Sequence, residues 1–256
     1  MSVRTALSVV QEFRRGVNLS VPTTITSLTD PDELQLVEHM NQVCEYLRRR
    51  GPFRQQVRSY TFNTADATST YSLPGDYWAP LPLTHYNRTT DRRLVGPLTD
   101  GEWQEYTEGF GATPYEYLWR IAGYDSSLSG VEGRLFEVYP TPSAVESLTF
   151  EYISGNLYLP TGWFASPDTA IHETIAADTD YCQFDADLVK LGLKWKYMDD
   201  TNSDRNAVQM AKSEFDREIT KNRMRWHGIT STTGRRKYFG TDRTRPYITN
   251  QSWSWT

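Results

Sequence analysis

The fold of this chain is decided by residues 30–52, which read DPDELQLVEHMNQVCEYLRRRGP. Asp30 can cap a helix, Pro31 suits the first turn, and Glu33 follows three residues after the cap. Three arginines in the last turn complement the helix dipole, and the Gly-Pro pair ends the helix. The apolar side chains that recur at helical spacing are Leu34, Val37, Met40, Cys44 and Leu47. The stretch therefore predicts a long amphipathic helix.

Helical patterns also occur towards both ends of the chain. Residues 3–15 predict a short helix, and Phe184-Asp185-Ala186-Asp187 opens a second helical region. Ser203 is a candidate cap for a last helix that runs to about Trp226. The apolar stripes are Leu7, Val10 and Phe13 in the first helix, Leu188, Leu191, Trp195 and Met198 in the second region, and Val208, Ala211, Phe215 and Ile219 in the last helix. The helices thus bracket the middle of the chain.

Gly192 stands in the middle of the second helical region. A glycine there weakens a helix by up to about 1 kcal/mol. We therefore expect Gly192 to let another part of the protein come close.

The middle of the chain, from about Val57 to Ile153, has strand patterns. Residues 57–62 and 69–73 alternate at period two, and residues 63–68 between them predict a hairpin connection. Further runs are Tyr115 to Ala122, Arg134 to Tyr139 and Ser147 to Ile153, while residues 101–106 suggest one helical turn. Short strands separated by turn signals are typical of a β-sandwich or small barrel.

These patterns predict an α+β fold. The N- and C-terminal segments form an α-helical bundle into which an antiparallel β-sandwich or barrel is inserted, and an extended C-terminal arm follows. The predicted boundaries are 1–56 and 177–228 for the helical domain, 57–176 for the β-rich domain and 229–256 for the arm.

The arm is basic and aromatic. From residue 235 onward five cations face Asp242 alone, a net charge of +4, which leaves −9 for the rest of a chain whose formal charge is −5. Exposed aromatic rings favour association with other proteins. The number of aromatic side chains in the arm therefore indicates a segment that docks on a partner. The candidate interface residues are Arg235, Arg236, Lys237, Tyr238, Phe239, Arg243, Arg245, Tyr247, Trp253 and Trp255.

Composition narrows the class of protein. The net negative charge argues against a general nucleic-acid binder. Two cysteines, Cys44 and Cys182, do not make a disulfide framework, so a reducing compartment is expected. No apolar run approaches the ~20 residues of a membrane span, and residues 1–4 do not resemble a secretion signal. We expect a soluble, non-secreted protein with no membrane partner.

No residue pattern specifies a metal or cofactor. The histidines, His39, His85, His172 and His227, lack the spacing of metal ligands, and His39 is expected at the surface or its boundary. An acidic group near the second helical region could bind a cation, or could cap the helix that follows. Its members are Asp178, Asp180, Asp185 and Asp187. We predict no metal and no cofactor.

Two alternatives to a structural role stay open. A hydrolase could use a pair of strand carboxylates drawn from Glu132, Glu137, Glu146 and Glu151, although no glycine-rich phosphate loop or Gly-x-Ser-x-Gly elbow is present. A carbohydrate- or receptor-binding β-sandwich could use an aromatic face made of Tyr77, Trp78, Trp103, Tyr115, Tyr117 and Trp119. We do not predict an enzyme.

A series of short motifs supports the structural role. In order they are residues 71–77 (YSLPGDY), 82–86 (PLTHY), 119–121 (WRI), 140–142 (PTP), 148–154 (LTFEYIS), 177–180 (ADTD) and 191–196 (LGLKWK). The ordered series resembles the head-to-tail adaptor proteins of tailed bacteriophages, the group that includes tail-tubular-protein-A-like gatekeepers. The resemblance covers roughly residues 30–226.

The resemblance implies a homo-dodecameric ring in the virion, assembled in the host cytoplasm. The ring would lie beneath the portal protein and above the tail nozzle or tail tube protein, with DNA passing through its bore without sequence-specific binding. The β-rich domain would face the tail, and the helix with Leu188, Leu191, Gly192 and Trp195 would pack in the ring. By analogy, the arm would reach the portal or a neighbouring subunit.

Overall fold

The computed structural model describes residues 4–109, 116–124, 134–163, 170–201 and 204–227. Its helices are α1 (Ala6–Gly16), α2 (Pro31–Arg50), α3 (Asp100–Glu108), α4 (Ala186–Asp200) and α5 (Arg205–His227). Its strands are β1 (Val57–Asn63), β2 (Thr70–Ser72), β3 (Tyr77–Pro80), β4 (Tyr86–Asn87), β5 (Arg92–Arg93), β6 (Leu118–Tyr124), β7 (Arg134–Tyr139), β8 (Ser147–Ser154), β9 (Tyr158–Leu159) and β10 (Tyr181–Cys182). The predicted α+β class is confirmed.

The helix starts follow the sequence signals. The Asp30 carboxylate accepts a hydrogen bond from the Asp32 amide at the start of α2, and Asp185 accepts one from Asp187 at the start of α4. Asp204 accepts from the Asn206 amide at the start of α5. The predicted cap Ser203 lies outside the described residues. Helix α3 is longer than the single turn expected, because Thr99 and Glu102 form a capping box at its start.

The buried face of α2 differs from the predicted stripe. Leu34 is 51% exposed, whereas Leu36 is buried. At about 100° per residue, Leu34 lies about 120° around the helix from Met40, but Leu36 lies only about 40° away. The helix therefore buries the face centred on Met40 and Leu47, and His39 is buried beside it rather than exposed.

A helical core joins the two ends of the chain. Helix α4 packs against α1, α2 and α5. The predicted stripe of α5 is confirmed, because Val208, Ala211, Phe215 and Ile219 are all buried. Leu157 and Tyr158 also lie in this core, although they fall within the range predicted to be β-rich. We call this part the helical lobe.

The second core lies between two antiparallel sheets. Strand β8 is central to the first sheet, where β1 pairs on one side and β3 and β4 on the other. The second sheet has the order β2-β7-β6. Phe136 from the second sheet and Phe150 from the first stack with centroids 5.5 Å apart. We call this part the β lobe.

The predicted hairpin between the first two strands is wrong. Strand β1 pairs with β8, and β2 pairs with β7, so residues 64–69 carry the chain from one sheet to the other. The Phe62 and Tyr71 rings pack across the two sheets with centroids 4.9 Å apart. This contact is therefore made between the sheets and not between partners of a hairpin.

Candidate assembly surfaces

Arg48 joins the helical lobe to the β lobe. Its side chain is buried in the last turn of α2, and its Nη1 donates a hydrogen bond to the Gly155 carbonyl at 3.0 Å. The guanidinium carbon lies 4.5 Å from the centroid of the Trp78 ring. Glu45 and Glu173 neutralise the charge. A buried cation with these partners fixes the end of α2 against β3 and the residue after β8.

A second polar cluster at the junction is built around Asp76. The fully buried Asp76 carboxylate accepts hydrogen bonds from Tyr152 Oη and Ser154 Oγ, each at 2.6 Å. Arg58 Nε lies 3.2 Å from this carboxylate. Burial raises the pKa of Asp76, and the two hydroxyls and Arg58 oppose that rise. The cluster satisfies a carboxylate that would otherwise be costly to bury.

The same junction continues to the segment before α4. Gln183 Nε2 donates to the Gln55 carbonyl at 2.7 Å, and Arg58 Nη2 donates to Gln183 Oε1 at 3.3 Å. The Arg58 guanidinium also stacks on Trp163 at 3.7 Å from the ring centroid. The two lobes are therefore joined by buried hydrogen bonds as well as by the chain itself.

Helix α4 has a partly apolar side that the described residues leave uncovered. A cleft of about 960 Å³ lies between α4 and α5, and Met210 at its edge is 73% exposed. A second cleft of about 580 Å³ separates α4 from α1. We define the α4–α5 outer face as Leu191, Lys194, Met198, Met210 and Arg217. This mixture of methionine, leucine and cations is suited to a protein interface.

The other candidate ring-packing residues of α4 lie inward. Leu188 and Gly192 are buried in the core of the same chain, and a Cβ on Gly192 would lie 2.4 Å from Val43 Cγ1. Trp195 is half-buried against Phe215. The close approach expected at Gly192 is thus made by Val43 of the same subunit. Leu191 alone of these four residues belongs to the outer face.

The far end of the β lobe is formed by loops that are held in place by backbone hydrogen bonds. The Thr64 amide donates to the Glu146 carbonyl at 2.8 Å, and the Ala67 amide donates to the Pro142 carbonyl at 2.9 Å. Val145 in these loops is 67% exposed. Strand β8 runs from this end to Ser154 at the lobe junction, a distance of about 25 Å. We call residues 64–68 and 141–146 the distal loops.

The acidic group does not form a metal site. Asp178 accepts from the Ile25 amide at 2.6 Å, and Asp180 accepts from the Ala176 and Ala177 amides. Asp185 caps α4, and Asp187 pairs with Lys190 at 2.7 Å. Across the described ranges, no cluster of three or more potential ligands could hold a metal ion. Capping therefore accounts for Asp185 and an ion pair for Asp187, while Asp178 and Asp180 fix loops.

The aromatic face of the carbohydrate-binding alternative is not assembled from the rings that the structure describes. Trp103 is 7% exposed and Trp119 is 1% exposed, so neither can present a ring to a sugar. Trp78 is covered by Arg48, and Tyr77 packs against Tyr152. Tyr117 is partly buried beside the same core, and Tyr115 lies outside the described residues. The described rings therefore pack against protein groups and do not form an open aromatic surface.

The glutamates nominated for a hydrolase are engaged or separated. Glu137 on β7 accepts from Arg120 Nε at 2.7 Å, whereas Glu151 is exposed on β8 in the other sheet. Glu146 accepts from Asn87 Nδ2 at 2.5 Å, and Glu132 lies outside the described residues. Glu137, Glu146 and Glu151 thus give no facing acid and base.

His85 was not singled out by the sequence, yet it is central to the β lobe. Its ring stacks on Trp119 with centroids 3.7 Å apart and on Phe150 at 5.0 Å. Burial lowers the pKa of His85 to about 3, so the ring is neutral at physiological pH. Only the surrounding aromatic residues, which come from distant strands, reveal this environment. Arg48 and Asp76 were likewise missed. Arg48 contacts Trp78 and Gly155, and Asp76 accepts hydrogen bonds from Tyr152 and Ser154, all of which are distant in the sequence.

The arm candidates lie beyond α5. Arg235 to Trp255 all fall within residues 228–256, which lie outside the described part of the chain. In the part that is described, no helix has the length and hydropathy required to cross a membrane.

Comparison with protein-family models identifies the family of this chain. No curated protein matches the chain. A family model described as SU10 adaptor protein matches residues 4–245, a range that includes both lobes and the basic beginning of the arm. The motif series had indicated a phage adaptor, and this match agrees with it, although it does not single out the tail-tubular-protein-A-like group. The chain therefore belongs to the SU10 adaptor protein family and is a structural head-to-tail adaptor of a bacteriophage.

Proposed function

We propose that this adaptor forms a dodecameric ring that joins the portal protein to the tail nozzle or tail tube and lines the DNA channel. The observation that carries the proposal is the α4–α5 outer face, where Met210 is 73% exposed beside a cleft of about 960 Å³. The subunit number comes from the resemblance to tailed-phage adaptors.

The ring needs two different surfaces on each subunit. In a closed ring with cyclic symmetry, one patch of a subunit meets a different patch of its neighbour. The α4–α5 outer face serves as one of these patches, because burying Met198, Met210 and Leu191 removes apolar area from water. Lys194 and Arg217 at its rim then pair with acidic groups of the neighbour.

The two lobes have different partners in this arrangement. The helical lobe packs in the ring, and the distal loops of the β lobe meet the tail nozzle or tail tube. The contacts of Arg48 and Gln183 support this division, because a rigid junction holds the distal loops at a fixed angle to the ring. Val145 offers an exposed apolar side chain to the tail component.

The C-terminal arm, residues 229–256, docks on the portal or on a neighbouring adaptor. Trp253 and Trp255 act as anchors in pockets of the partner, and the cations from Arg235 to Arg245 contact its acidic rim. The net charge of −9 on the rest of the chain discourages phosphate binding, so DNA can slide through the bore.

The ring interface is tested by mixing the full-length protein with the portal from the same phage and imaging the mixture by electron microscopy. We expect one added layer below the portal. Met210→Lys should abolish the layer, because it buries a charge at the subunit boundary. Gln42→Lys is the matched control, since Gln42 is also exposed on a helix but lies on α2. If the Met210→Lys protein still formed a complete layer, the α4–α5 outer face would not be part of the subunit interface.

The arm is tested in the same mixture with full-length Trp253→Ala/Trp255→Ala protein. We expect the layer to be lost or sparsely occupied while the circular dichroism spectrum stays that of the wild type. Wild-type occupancy would exclude the arm as an anchor. No layer with the unchanged protein would reject the adaptor ring itself.

A further inference from the structure

Two cysteines meet in the core of the helical lobe. Cys44 Sγ in the middle of α2 and Cys182 Sγ on β10 lie 3.7 Å apart. Cys44 is 0% exposed and Cys182 is 4% exposed. The two residues are 138 positions apart in sequence, with the whole β lobe between them. Two thiols at van der Waals distance are therefore held together by tertiary structure alone.

We infer that Cys44 and Cys182 form a reversible disulfide when the protein meets a low-molecular-weight disulfide outside a reducing compartment. An S–S bond is about 2.05 Å long, so the two sulfurs must approach by about 1.7 Å. That shift is within the range of a side-chain rotation and a small displacement of a short strand. The sequence alone gave no reason to pair them.

The location of Cys182 provides the route to oxidation. Strand β10 has two residues and is held by β9 and by a bridge from Tyr181 to Thr5. Residues 170–174 are mostly exposed and lead towards this strand. Short strands beside exposed segments open locally at low free energy, whereas the 20-residue helix α2 around Cys44 is more resistant. Cys182 is therefore the sulfur that a small oxidant reaches first.

The environment of Cys44 suits it to the second step. The contact with Cys182 and burial both raise the pKa of the Cys44 thiol, so it is not the first nucleophile. The Tyr158 hydroxyl, which donates to Asn41 Oδ1 at 2.6 Å, also lies against Cys44. Once Cys182 carries a mixed disulfide, the neighbouring Cys44 is the sulfur best placed to displace the small thiol.

The reaction balances with oxidised glutathione as the oxidant. The Cys182 thiolate attacks one glutathione sulfur, and a first reduced glutathione leaves with the proton from Cys182. The Cys44 thiolate then attacks the Cys182 sulfur, and a second reduced glutathione leaves with the proton from Cys44. The protein loses two hydrogens and is oxidised by two electrons, while one glutathione disulfide is reduced to two thiols.

The cross-link would strengthen the helical lobe. It ties α2 to the segment that leads into α4, across a loop of more than a hundred residues. Cross-linking so long a loop restricts the unfolded chain, and we expect the melting temperature to rise by about 5–10 °C. This inference does not depend on ring formation, so it can be tested on the free chain.

The test incubates the full-length protein with oxidised glutathione, once in native buffer and once during refolding from urea. The protein is then denatured, alkylated and analysed by intact-mass and peptide mass spectrometry. We expect a monomer that is two hydrogens lighter, resists alkylation and yields one peptide pair linking Cys44 to Cys182. Reduction should reverse the change and the rise in melting temperature.

Cys44→Ala and Cys182→Ala proteins are the controls. Each should end with a single glutathione adduct or one alkylated thiol and no gain in melting temperature. Two free thiols or two glutathione adducts in the wild-type protein, after both native and refolding incubations, would overturn the inference. A cross-link between two chains on a non-reducing gel would overturn it as well.

Discussion

The guanidinium of Arg48 lies over the indole of Trp78, 4.5 Å from the ring centroid, and thereby joins the last turn of α2 to β3. The same side chain donates to the Gly155 carbonyl. Because both contacts cross from one lobe to the other, Arg48 helps to set the orientation of the β lobe, together with the hydrogen bonds of Gln183. An adaptor that joins a phage head to its tail needs its two lobes held at a fixed angle.

Arg48→Met should destabilise the protein by about 2–3 kcal/mol, because it leaves the buried Gly155 carbonyl without its donor and removes the cation that pairs with Glu173. Urea unfolding followed by tryptophan fluorescence measures the loss. Arg49→Met is the matched control, since the Arg49 side chain is 73% exposed, and should change stability by less than about 0.5 kcal/mol. Equal effects of the two substitutions would argue against a structural junction.

Gly192→Ala should destabilise the helical lobe by about 1–3 kcal/mol, although alanine favours helices, because the new Cβ would lie 2.4 Å from Val43 Cγ1. Thermal unfolding monitored by circular dichroism gives the difference. Gly101→Ala in α3 meets no atom within 4 Å and should be neutral or stabilising. Adding Val43→Ala to Gly192→Ala should recover part of the loss; no recovery would place the strain elsewhere.

His85 should make the β lobe sensitive to acid. The pKa of His85 is lowered from 6.5 to about 3 by burial, so the unfolded chain binds a proton that the folded chain refuses. The contribution of neutral His85 to the free energy of unfolding is present above pH 6.5 and is lost as the pH falls towards 3. Between pH 7 and pH 4.5 the loss due to His85 should be about 2.5 kcal/mol.

The His85 contribution is isolated by comparison with His85→Leu, which cannot titrate. Other groups also respond to acid, since the pKa of Asp76 is raised and that of Glu12 is lowered. These groups are present in both proteins, so the difference between their pH profiles belongs to His85. Urea unfolding at several pH values should give a shallower profile for the variant. Parallel profiles would show that folding does not lower the pKa of His85.

Trp103→Ala should destabilise the protein by about 3 kcal/mol, because Trp103 is 7% exposed and packs on Tyr139 and under Arg120. Tyr106→Ala on the same helix is the control, because Tyr106 is 43% exposed. Thermal unfolding distinguishes them. A stable Trp103→Ala protein that had lost binding to a glycan array would instead revive the carbohydrate-binding interpretation.

Local signals in the sequence were enough to determine where several elements lie. Asp30 and Asp185 specified helix starts, and the stripe of α5 specified its buried face, because caps and helical periodicity involve residues that are close in the chain. The α+β class followed from the order of these patterns. The ordered motifs also indicated the phage adaptor family.

The tertiary structure alone decided which elements meet. Leu34 and Leu36 offered α2 two possible faces, and only packing against the other helices selected the face with Leu36. Pairing of β1 with β8 instead of β2, and contact of Cys44 with Cys182, both require the chain to return after about a hundred residues. Such contacts depend on the shape of the assembled core, and no spacing within a short segment encodes them.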